Sequence, residues 1–100
     1  MLFIRKLIWD TWNIQHITRH DIAPEEVEEI CHNLPLVLRG QQKGRLVLIG
    51  LTEGNRMIAV VLEVKEYGKY YPVTAYEPDV SDKALYNRLR GGENNEEENK

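Results

Sequence analysis

The chain of 100 residues has one cysteine, one phenylalanine and four prolines, and it has no long apolar run. A lone Cys31 excludes an internal disulfide and points to a reducing compartment. No stretch approaches the ~20 apolar residues of a membrane-spanning helix. MLFIRKLIW carries a basic pair without an apolar run of signal-peptide length, so a cytoplasmic location is expected. Gly-rich phosphate loops, nucleotide-binding fingerprints and Ser-His-Asp spacing are all missing, and internal repeats are absent. The length suits a single domain with a thin core.

The composition is that of an ordinary globule, with 42% apolar and 29% charged residues. The net charge of −3 is unevenly spread. Residues 93–100 (ENNEEENK) contain four Glu and one Lys and account for all of it. Residues 1–35 hold three basic and six acidic groups, whereas residues 36–92 hold nine basic and six acidic. The second half is therefore mildly basic and suited to a phosphate backbone.

Hydrophobic periodicity divides the chain into elements. Leu2 to Trp9 reads as a first strand. Asp10 caps a helix from Thr11 to about His20. Pro24 fits the first turn of a second helix, with Glu25 and Glu26 favoured by the dipole and Ile22 and Val27 placed as a staple. Val27, Ile30, Cys31 and Leu34 make its apolar stripe, and Pro35 stops it. Cys31 on that stripe is a core residue rather than a nucleophile. Leu36–Arg39, Arg45–Thr52, Arg56–Val64 and Tyr70–Tyr76 then read as strands, the middle two joined by the three-residue loop Glu53-Gly54-Asn55. Pro72 puts the last of these at an edge, or has it enter the ladder beyond the proline. Asp79 with Asp82 opens a helix over Val80–Leu89, which Gly91-Gly92 ends. The expectation is an α+β domain over residues 1–91: a strand, two helices, an antiparallel sheet of three or four strands and a last helix. The acidic tail, 92–100, has nothing to bury and is expected to be disordered.

Candidate chemistry lies mainly in arginines at strand beginnings. Arg45, beside Lys43, and Arg56 could together grip one phosphodiester and stabilise its charge, with Arg39, Lys83 and Arg88 in support. RNA cleavage then needs little more, because the substrate carries its own 2′-hydroxyl nucleophile and a His or Glu can carry the proton. His16 and His20 have HxxxH spacing without the Glu of a metalloprotease motif or a third ligand, so packed histidines are weighed against a metal pair. Tyr67, Tyr70 and Tyr71 could stack on bases or form cross-strand pairs.

Several segments, over about residues 4–90, together resemble the BrnT family of toxins. Trp9-Asp10 with Asn13 and then Arg19-His20 is similar to the family's opening W-D…N…K-H stretch. Ile22-Ala23-Pro24-Glu25-Glu26-Val27 resembles the start of its second helix. Gly44-Arg45, Gly50, Arg56 and Val60-Val61 resemble its central strands. Val73-Thr74-Ala75, Asp82-Lys83 and Tyr86 resemble its closing pattern. The resemblance implies a fold similar to RelE and ParE toxins, a cofactor-free and metal-independent endoribonuclease that arrests translation, and a cognate antitoxin carrying a ribbon-helix-helix domain; homodimerisation is left open. On that reading His20 is a proton carrier or structural anchor, Arg45 and Arg56 hold phosphate, and Glu26 and Lys83 are secondary members. Lys43, Arg39, Tyr76 and Arg88 contact RNA. Tyr76 stands where the family pattern has Arg, and Lys83 where it has a second Arg. These departures favour an alternative, a BrnT-like module that binds partners without catalysis. The nuclease expectation includes a specific one: Arg56→Ala should abolish growth arrest without unfolding the domain.

Overall fold

The computed structural model describes the backbone of residues 2–98 and the side chains of residues 2–89. The order is β1 (Lys6–Leu7), α1 (Thr11–Thr18), α2 (Pro24–Cys31), β2 (Leu36–Arg39), β3 (Arg45–Leu51), β4 (Met57–Val64), β5 (Lys69–Tyr76) and α3 (Val80–Glu98). The α+β class is as expected; the sheet is not. It has five strands in the order β1-β5-β4-β3-β2, and β1 runs parallel to β5. Hairpin turns dictate antiparallel pairing only between neighbours in sequence, from β2 to β5. The N-terminal strand arrives from outside that meander and is free to pair in parallel. It is also much shorter than Leu2–Trp9.

Local signals set the helix starts. Asp10 and Asn13 form a reciprocal capping box: each side chain accepts from the other's backbone N–H at 2.9 Å. Asn13 is fully buried and donates to the carbonyl of Ile8 at 2.9 Å, so the cap also ties α1 to the segment after β1. At α2, Ala23 has no side chain to cap with, and only half of a box forms, Ala23 N–H donating to Glu26 Oε1 at 3.0 Å. Asp79 accepts from the backbone of Asp82 at 2.9 Å and opens α3.

Two helix ends and one strand differ from expectation. α2 stops at Cys31, one turn short of Leu34. Pro35 bars Leu34 from the right-handed helical region, and Leu34 instead takes φ 51° and is 66% exposed. Pro72 lies within β5 with β4 on one side. It is accommodated by a bulge at Val61/Leu62 and by the brevity of β1, whose pairing ends at Tyr70. α3 passes through Gly91-Gly92 to Glu98 where an end was expected at the glycines. A glycine inside a helix costs only about 1 kcal/mol, and the Glu-rich segment beyond is helix-compatible. Asn99 and Lys100, at the end of the tail, lie outside the described residues.

Helices α1 and α2 cover one face of the sheet. Ile17, Ile22, Val27, Ile30 and Cys31 meet Leu48, Ile58, Val60, Leu62, Tyr70 and Ala75 in a single core. Strand alternation sends the remaining residues to the other face. Register arranges them in cross-strand rows: Arg45–Glu63–Tyr71, then Leu38–Val47–Val61–Thr74, then Leu36–Ile49–Ala59–Tyr76. No helix among the described residues is long and apolar enough to cross a membrane.

Candidate functional site

The two arginines expected to converge do not. Arg45 pairs with Glu63 across the β3–β4 hairpin, and Arg56 lies seven residues back along that strand at the hairpin tip. At the strand rise of ~3.3 Å per residue this separates them by about 23 Å. They also lie on opposite faces. Glu63, and so Arg45, shares the face turned away from α1 and α2 with Val61 and Ala59, whereas Arg56 keeps phase with the core residues Ile58 and Val60.

Arg56 is held on the helix side by protein groups. One guanidinium nitrogen donates to the carbonyl of Asp21 at 2.8 Å and to both Glu26 carboxylate oxygens at 3.2 and 3.3 Å. The other donates to Glu77 at 3.2 Å. Glu77 and Glu26 together hold its charged form more firmly than usual, against partial burial. Two of the expected residues, Glu26 and Arg56, are thus brought together as a clasp joining the α1–α2 turn, the hairpin tip and the chain after β5. His20 lies next to Asp21 at this clasp, but its ring packs edge-on to His16 at 5.7 Å. His16 in turn stacks on the exposed Trp12 at 5.0 Å and 9°. The HxxxH pair is committed to that ring ladder. Among the described residues, no group of three or more His, Cys, Asp or Glu is placed to hold a metal ion.

The other expected cations do gather. Arg39, Lys43 and Arg45 line a hollow of about 400 Å³ at the β2–β3 connection, together with Gln41 and Gln42. Its backbone is fixed by local bonds: Gly40 N–H donates to Arg45 O at 2.9 Å, and Val64 N–H to Gly44 O at 2.9 Å. A Cβ at Gly40 would sit 2.8 Å from that same Arg45 oxygen, and Gly44 has φ 81°, so both positions demand glycine. A second hollow, of about 320 Å³, adjoins the first on the open sheet face, sharing Gly40, Gln41, Gln42 and Arg45 and reaching Tyr76. Burial first, and then Asp82 and Asp79, push the Tyr76 phenol pKa upward, so it stays a neutral hydroxyl. Lys83 and Arg88 stand exposed on α3 and line neither hollow.

Three polar residues at this end escape a reading of the sequence for arginines. Glu63 lies between Arg45, at 3.4 Å, and Lys65, and these two cations, Lys65 foremost, hold its carboxyl below the usual range. It is the one carboxylate in direct contact with the basic hollow's Arg45 among the described ion pairs. The loop centred on Gly54 carries the signal for it, since that loop fixes the hairpin register. Gln41 and Gln42 give no sequence signal, because nothing in a turn's composition says which way its amides point.

No protein-family model matches the chain, and no curated protein matches it. The resemblance to BrnT-like toxins therefore rests on the residues quoted for it alone. Of its central-strand elements, Gly44-Arg45 falls in the basic hollow and Arg56 in the clasp.

Proposed function

We propose that this chain is an RNA-directed toxin of the BrnT-like, RelE/ParE-related type, neutralised in the cytoplasm by a cognate antitoxin, and that it takes RNA at the hollow lined by Arg39, Lys43 and Arg45. The observation that carries this reading is the gathering of three cations, Arg39 and Arg45 at the strand ends and Lys43 on the loop between them, in a hollow that adjoins a second one reaching Tyr76. Lysine and arginine neutralise phosphates and release their counterions, and an adjacent ring offers a base somewhere to stack. Endoribonuclease action is the sharper form of the proposal. In it the 2′-oxygen of the RNA attacks the adjacent phosphorus to form a 2′,3′-cyclic phosphate, and the 5′-oxygen leaves and takes a proton from water, with Arg45 stabilising the charge that builds on the phosphoryl oxygens. In this proposal Glu63, which contacts Arg45, takes the 2′-proton.

A second reading is favoured by the clasp. Arg56 is engaged by Glu26, Glu77 and the Asp21 carbonyl, and Tyr76 stands where the family pattern has Arg. A BrnT-like module that binds RNA or a partner without cleaving would look the same. Incubating purified protein with single-stranded RNA and resolving the products separates the two. Cleavage that is lost in Arg45→Ala supports the nuclease. Binding without cleavage, with activity gained in Tyr76→Arg, supports the module. If the protein neither binds nor cuts RNA and causes no growth arrest on expression, the proposal falls.

A further inference from the structure

The hollow on the open sheet face differs in chemistry from the basic one beside it. Its floor is the row Val47–Val61 with Val73, an apolar surface three strands wide. Thr74 ends that row, and Tyr76 forms the wall one row further along. Gln41 and Gln42 line it from the loop, and Arg45 stands where it opens into the neighbouring cations. The order from one end to the other is guanidinium, apolar floor with side-chain amides along it, phenol. Its volume, about 320 Å³, is at the small end for a ligand pocket.

We infer that this hollow is a nucleobase pocket, and that Gln41 and Gln42 determine which base it accepts. The inference rests on the RNA reading given above and adds to it. A base is a flat apolar plate with a polar edge. The valine floor and the Tyr76 ring meet the plate. Each glutamine amide offers both a donor and an acceptor, as a Watson–Crick edge requires, and Thr74 adds a hydroxyl. A purely apolar ligand would leave the amides and that hydroxyl without a role. The phosphate attached to such a base falls on the Arg45 side, where Arg39 and Lys43 continue the positive surface. One nucleotide thus spans both hollows, its backbone held by charge and its base read by amides. The Gly40 close approach and the left-handed Gly44 constrain the backbone of the loop that carries both amides.

The test compares binding of four homopolymeric RNA hexamers with that of an abasic hexamer of the same backbone. Wild-type protein is expected to bind at least one base-bearing hexamer roughly 5- to 150-fold more tightly than the abasic one, the range for stacking on an aromatic ring. Tyr76→Ala should collapse that ratio toward one. Gln41→Ala combined with Gln42→Ala, both exposed loop positions, should level the four homopolymers against one another while the protein's circular dichroism stays native. Equal binding of abasic and base-bearing hexamers by wild type would overturn the pocket and leave phosphate recognition at the basic hollow standing. Failure of every hexamer to bind would overturn both.

Discussion

Replacing Arg56 with alanine should destabilise the domain rather than merely silence it. The side chain is 29% exposed, and its partners Glu26 and Glu77 are 28% and 58% exposed. Ion pairs this wet are each worth about 0.2–1 kcal/mol. The bond from a charged donor to the Asp21 carbonyl contributes about 1.5 kcal/mol before water replaces part of it. The loss is therefore about 2 kcal/mol. For a domain of this size 1 kcal/mol moves the melting temperature by about 4–8 °C, so Arg56→Ala should melt about 8–15 °C below wild type. Arg56→Lys keeps the charge but not the fork that spans Glu26 and Glu77, and should fall between. The assay is thermal denaturation followed by far-UV circular dichroism. An Arg56→Ala protein that melts within a degree of wild type yet has lost RNA binding or toxicity would refute the clasp and return Arg56 to the phosphate, as the sequence alone suggested.

Three further outcomes follow from the same geometry. Asp10 is held below the ordinary aspartate range, chiefly by the Asn13 backbone N–H and also by Tyr71. A lowered folded pKa gives stability that is present above the unfolded value of about 3.9 and lost as pH falls through the folded value, so denaturant midpoints should drop below about pH 4 and do so less in Asp10→Asn. Burial, followed by Glu28, pushes the Cys31 thiol up to about 12. Its thiolate fraction at pH 8 is then on the order of 10⁻⁴, so alkylation should be negligible in the native protein and prompt in denaturant. Ile17→Ala, at a fully buried core position, should cost about 2–5 kcal/mol by urea titration.

Much of the fold is legible in the sequence. The boundaries of β2 coincide with the alternation, and the starts of α1, α2 and α3 coincide with Asp10, Pro24 and Asp79, because capping and proline chemistry are local. The parallel β1–β5 pair is not legible, since the pairing joins segments about sixty residues apart and no turn specifies it. The separation of Arg45 from Arg56, by contrast, is implied by the predicted loop. A three-residue loop centred on Gly54 sets Arg45 opposite Glu63 and Thr52 opposite Arg56. That puts the two arginines at opposite ends of the hairpin and, by the two-residue side-chain period, on opposite faces. Grouping arginines by type alone overlooks this register. The basic hollow is half legible: Arg39, Lys43 and Arg45 are close in sequence, but Tyr76 reaches the face it shares with Arg45 only through the bulge in the β4–β5 pairing.

The most direct test of the RNA reading is the salt dependence of binding to a single-stranded RNA, measured for wild type and for Lys43→Ala combined with Arg45→Ala. Each phosphate contact contributes about 0.7 to the slope of log K against log salt for a single strand. The account predicts that the double variant binds more weakly and has a slope shallower by about 1.4. Unchanged affinity and slope in a folded double variant would contradict it, because RNA would then be held somewhere other than this hollow.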